Sequence, residues 1–158
     1  MVKQKYVMNV ERSQKMDLQK MQKLSDMRLA PYMQLATGLI GKARHAGGNM
    51  FRHQMDTLAI LIDYGYIDSV LLKASIVHDT VEDIPDFDKN QIINADEEGQ
   101  QVLDLVMEVT RRSDEDKRAF LHRILDTGSQ KAKILKCALP DFKMISISVI
   151  GEPVSTPI

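Results

Sequence analysis

Apolar residues recur at helical spacing along most of this chain, and no two-residue alternation interrupts them before about residue 145. Charged text from about Asn9 to Leu29 carries an uneven stripe of Met16, Leu18, Met21, Leu24 and Met27. Pro31 interrupts or restarts that helix, and Met33, Leu35, Ala36, Leu39 and Ile40 carry the next one towards Ala43. Gly47-Gly48-Asn49 marks a turn. A helix then runs from about Met50 to Tyr64, with His53, Thr57, Ile60, Leu61 and Tyr64 on its inner line and Gly65 closing it. Asp68 or Ser69 caps a central helix over Ile67 to Asp79, whose single apolar stripe holds Val70, Leu71, Ala74 and Val77. Pro85 pushes Ile84 out of the helical region and sets the limit of that stretch.

The later pattern is of the same kind. Asp88 caps a short helix with Ile92 and Ile93, and Asp96 opens another with Val102, Leu103, Val106, Met107 and Val109 inward. Ser113 with Asp116 forms a capping pair for a helix bearing Phe120, Leu121, Ile124 and Leu125. Gly128-Ser129 ends that helix and caps a last one, with Ala132, Leu135 and Ala138 inside, which Pro140 stops. From Ile145 the text becomes β-branched and proline-bearing, an irregular tail. The expected fold is all-α.

Composition narrows the class. A chain of 158 residues, 44% apolar, supports one domain with a core. A formal net charge of -1 gives no field for holding a nucleic-acid backbone. The single Cys137 excludes an intramolecular disulfide or a cysteine-rich zinc site, and no run reaches the length of a signal peptide or membrane span. A cytoplasmic protein with no membrane partner is the expectation.

Chemistry gathers between Lys73 and Asp83, which read K-A-S-I-V-H-D-T-V-E-D. His78 falls one turn past Ala74 on the apolar stripe, which points a titratable ring inward. Asp79 follows, and Glu82 and Asp83 stack over this pair if the helix continues. Carboxylates at a helix C-terminus oppose the macrodipole, so a positive partner such as a divalent metal is expected. The plainer alternative is a satisfied core histidine beside a solvated acidic helix end. His53 alone reads as a surface or cap residue, and Lys42 and Arg44 as solvated cations.

Taken together, His53, His78-Asp79 and Glu82-Asp83 resemble the HD metal-dependent phosphohydrolases. The run R-H-A-G-G-N-M-F-R-H places Arg44, Gly47, Met50 and His53 at the spacing found in the hydrolase domain of RelA/SpoT homologues and in small alarmone hydrolases. E-V-T-R-R, from Glu108 to Arg112, and F-L-H-R-I extend the likeness to roughly Leu35 to Ala138. The resemblance implies an HD-type helical bundle over 31–144, with a helical extension over 1–30 and the tail over 145–158. It implies metal-dependent removal of the 3′-pyrophosphate from guanosine tetra- or pentaphosphate. The metal ligands would be His53, His78 and Asp79, the cofactor a divalent ion, best Mn²⁺, and Glu82 and Asp83 would orient water or move its proton. Arg44 would contact the nucleotide. No nucleotide-synthesising domain is expected within these residues.

One departure is serious. Leu139 stands where the family closes its metal site with an aspartate, and Lys143 stands where it has an asparagine. Asp141 lies about 200° around a helix from position 139, beyond Pro140, and does not substitute. The five neighbouring mismatches lie between matching Ala138 and Met144, which points to a short out-of-frame reading; in-frame codons in independent isolates would refute that hypothesis. The competing expectations are hydrolysis of another nucleotide phosphate and a catalytically inactive nucleotide-binding helical module.

Overall fold

Five of the helices begin where a short polar side chain takes an otherwise unmet backbone N–H. The computed structural model describes residues 17–139; the expected start of the first helix before residue 17, the stop at Pro140, Asp141, Lys143 and the 145–158 tail lie outside these. Helix α1 (Leu18–Ser25) starts at Asp17, whose carboxylate accepts from Lys20 N at 2.8 Å. It has no buried residue of its own, while Leu24, Met27 and Leu29 pack against the core from its side. Pro31 occupies the first turn of α2 (Ala30–Ala36), where its missing N–H costs nothing, and a 3-10 turn over Thr37–Leu39 follows. Ile40, expected inward, is exposed because the chain has already left the helix there.

Gly47 and Gly48 both have positive φ and turn the chain so that Ala43 and Asn49 pair. Asn49 then caps α3 (Met50–Asp63) through Phe51 N at 2.9 Å. Thr57, Leu58 and Leu61 are buried, whereas Tyr64, placed inward by spacing, is 68% exposed: it sits at the C-terminal cap, where Gly65 at φ 76° has already turned the chain.

Helix α4 (Ser69–Val77) is the centre of the molecule. Asp68 caps it through Leu71 N at 2.9 Å, and every residue from Val70 to Val77 is buried. The expected single stripe is therefore corrected: α4 is enclosed on all sides, with α3, α2 and α7 (Gly99–Val109) packed around it. Burial of side chains such as Leu72 and Ile76 contributes roughly 1.5–3 kcal/mol each. Lys73 sits inside this apolar surround because Asp96 and Glu98 each lie 2.6 Å from its Nζ.

The expected helix over Ile67 to Asp79 is also shorter than its pattern. It ends at Val77, and after the turn at His78-Asp79 a separate helix, α5 (Thr80–Asp83), begins with Asp79 at its N-cap position. The cause lies in side chains that take over helix carbonyls. Ser75 Oγ donates to Leu72 O at 2.7 Å, His78 Nδ1 lies 2.8 Å from Ser75 O, and Thr80 Oγ1 donates to Val77 O at 2.8 Å. Glu82 and Asp83 thus belong to a separate short helix, and they do not oppose the dipole of α4.

The remaining elements are α6 (Asn90–Ile93), with Asp88 accepting from Asn90 N, then α7, α8 (Lys117–Thr127) and α9 (Gln130–Ala138). Asp116 caps α8 through Ala119 N at 2.7 Å; Ser113, expected to share that role, stays in the exposed preceding turn. Met107 and Leu125 are exposed where inward positions were expected, and Leu105 is buried instead. Ser129 caps α9, and its N–H and hydroxyl also donate to the Glu108 carboxylate. Among the described residues the chain is an all-α single domain, and no helix is long and apolar enough to cross a membrane.

Candidate metal centre

The break after α4 brings its last residues against the first turn of α3. One ligand atom each from His53, His78 and Asp79 lie within 4.8 Å of one another. The imidazole centroids are 5.5 Å apart at 68°. Asp79 Oδ2 lies 3.2 Å from His78 Nε2 and 3.7 Å from His53 Nε2. Both rings are buried, and the Asp79 carboxylate keeps 21% of its surface open to the cleft above. Because Asp79 makes no capping bond at α5, its carboxylate is available to the rings.

The hydrogen-bond chemistry of this cluster fits a cation. Ser75 O can only accept, so His78 Nδ1 carries the hydrogen in the contact between them, and in the neutral imidazole Nε2 presents a lone pair. That Nε2 is buried without a hydrogen-bond partner, and it faces a carboxylate oxygen. An ion set among the three groups satisfies both acceptors at once. A histidine whose second ring nitrogen is fixed by a backbone carbonyl is also the usual arrangement around a bound metal.

Electrostatics divide the three neighbouring acids into two kinds. Desolvation opposes the Asp79 anion, but the His78 and His53 rings and the Gln54 amide outweigh it and hold the carboxyl well below the usual range. Desolvation, then the negative charge of Asp79, push Glu82 and Asp83 up. Lys136 and Arg111 oppose that shift at Glu82, and Lys42 and His78 oppose it at Asp83. One acid is kept as an anion and two are made better proton carriers.

Above the cluster lies an open cleft of about 800 Å³. His53, Asp79, Glu82 and Asp83 form one side, and Arg44 and Lys42 reach it from the glycine turn. Arg111, from the loop after α7, and Lys117 and Lys136, from the last two helices, line the same cleft. Lys42 Nζ donates to the Asp83 carbonyl, which ties the turn to α5. Leu139, at the position expected to hold an aspartate, contributes an apolar side chain to the wall.

The cluster expected from sequence, His53 with His78 and Asp79, is therefore assembled, and Glu82, Asp83 and Arg44 open onto the same space. Sequence reading missed Gln54, which is fully buried and donates from Nε2 to Asp79 Oδ2 at 2.8 Å. It also missed Arg111 and Lys136. Gln54 had one available signal: it adjoins His53 on a helix whose inner face it shares. Comparison with models of known families and with curated proteins finds no match for the chain.

Proposed function

We propose that this protein is a metal-dependent phosphohydrolase of the HD type, cleaving the 3′-pyrophosphate of guanosine tetra- or pentaphosphate. The observation that carries the reading is the convergence of His53, His78 and Asp79 at the floor of a cation-lined cleft. Two imidazoles and a carboxylate suit a borderline-to-hard divalent ion, which on this reading is Mn²⁺. When bound, such an ion would lower the pKa of a water ligand and withdraw charge from the attacked phosphorus.

The chain's own residues supply the remaining parts. Glu82 and Asp83, raised from ordinary carboxylate behaviour, hold and pass the proton of the attacking water. Arg44, with its planar guanidinium, binds base or phosphate, and Arg111, Lys117 and Lys136 offset the charge of the polyphosphate. Leu139 favours a second reading, a nucleotide-binding domain with impaired turnover, because an apolar residue on the wall offers the ion no further ligand. Pyrophosphate release from guanosine tetraphosphate with added Mn²⁺, measured beside Leu139→Asp, separates the two. Activity in the unmodified chain supports the hydrolase, and activity only in the variant supports the impaired form. No release from either, with another nucleotide phosphate hydrolysed, replaces the substrate; no release from any nucleotide, with nucleotide still bound, supports a binding module.

A further inference from the structure

Gln54 has no place in the reading above, yet it is a fully buried polar side chain bonded directly to the cluster. Its exposure is 0%, and its amide donates to Asp79 Oδ2, the oxygen that faces both imidazoles. The orientation of the amide is fixed by chemistry, since turning it over would set its oxygen against a carboxylate. Gln54 Oε1 is left buried with no donor. Half-satisfied amides in a dry interior are unfavourable, and an apolar residue of equal size would pack there without that penalty. Packing therefore does not account for the residue, whereas its bond to Asp79 does.

We propose that Gln54 is a positioning residue for the metal centre. A carboxylate oxygen has two lone-pair directions. With one occupied by the Gln54 amide, the other is held toward the gap between His53 and His78, so Asp79 offers a single, oriented oxygen. The backbone of α3 then fixes both His53 and the partner of Asp79 through adjacent residues. This inference rests on the metal-binding reading, and the same measurement tells the two apart.

The test titrates the metal-free full chain with Mn²⁺ and counts unbound ion by its electron paramagnetic resonance signal, alongside melting of the metal-free protein. Gln54→Met keeps size and removes the donor; Gln54→Glu keeps size and polarity and opposes Asp79 with charge. The expected result is a 10- to 100-fold loss of Mn²⁺ affinity in both variants, on the order seen when a ligand's outer partner is removed. The metal-free melting temperature of Gln54→Met should stay close to that of the unmodified chain, because the lost bond to Asp79 is offset by removal of the orphaned Gln54 Oε1. Unchanged affinity in either variant overturns the positioning role alone. Affinity lost only in step with metal-free stability also overturns it, as a packing effect. Absence of Mn²⁺ binding by the unmodified chain overturns this proposal together with the metal-dependent function.

Discussion

Replacing Asp96 by Ala tests what holds the central helix in place. The Asp96 side chain is 1% exposed and serves three groups: Lys73 Nζ at 2.6 Å, the Tyr32 hydroxyl at 2.7 Å and Glu98 N at 3.0 Å. Loss of the carboxylate orphans the hydroxyl of the fully buried Tyr32, at about 1–3 kcal/mol. It also removes one of two anions from a buried ammonium, and breaking such a pair costs about 3–5 kcal/mol. Glu98 still holds Lys73 at 2.6 Å, and effects within one network do not add, so the expected total is about 3–5 kcal/mol. That is a large share of the ~5–15 kcal/mol that stabilises an ordinary domain. Urea denaturation followed by circular dichroism at neutral pH should show a lower midpoint at unchanged slope. A loss below about 1 kcal/mol would refute the reasoning, by showing that α4 is held by apolar burial alone.

The same network fixes a pH dependence. Burial opposes the Asp96 anion, but Lys73, Tyr32 and the Glu98 N–H outweigh it and lower the carboxyl from 3.8. Hydrogen bonds from Lys73 and Ser69 lower Glu98 from 4.5. Both contributions are present above those unfolded values and are lost as pH falls through the lower folded ones. Lys73 is desolvated, yet its two anions raise it above 10.5, so its contribution holds below that value and disappears in strong alkali. Asp96→Ala should flatten the acid limb of the stability curve.

Further outcomes follow from single residues. Glu82→Gln with Asp83→Asn should abolish the proposed hydrolysis yet raise the neutral-pH stability of the metal-free protein by up to about 1 kcal/mol, measured by thermal melting. The sign follows from folded pKa values lying above 4.5 and 3.8: the penalty is absent below those values, grows as pH rises and is removed with the charges. Gly99→Ala would put a methyl group 2.2 Å from Ile93 O and 2.4 Å from Ile92 O; because both are backbone, a loss of at least about 1–3 kcal/mol is expected in urea melts. Asp68→Ala removes the α4 cap and the 3.1 Å contact with Lys131, which should lower stability by about 1–2 kcal/mol, with less effect when compared in high salt.

Local chemistry was the legible part of this fold. Asp68 and Ser129 cap helices as expected, because a short acceptor near the first free N–H is a property of a few consecutive residues; Asn49, read only as part of a turn, also caps, and Asp116 takes the cap position in place of Ser113. The stop at Ile84-Pro85 and the turn at Gly65 follow for the same reason. The break at His78-Asp79 was not legible, since α4 and α5 share apolar spacing and the carbonyls diverted by Ser75, His78 and Thr80 leave no trace in periodicity. No local pattern marks Lys73 as buried, because Asp96 and Glu98, which enclose it, lie 23 and 25 positions away. In the candidate site, His53, His78 and Asp79 were marked by residue type and order. Gln54 was not, because a glutamine beside a histidine acquires meaning only from the oxygen it touches.

The ammonium of Lys42 closes on a backbone carbonyl 41 positions away, and this brace has a consequence for anything entering the cleft. The arginine-bearing turn and the acid pair cannot swing apart as separate jaws without giving up that bond. A guest must accept the spacing it finds, and selection by shape at the doorway precedes any reaction on the floor.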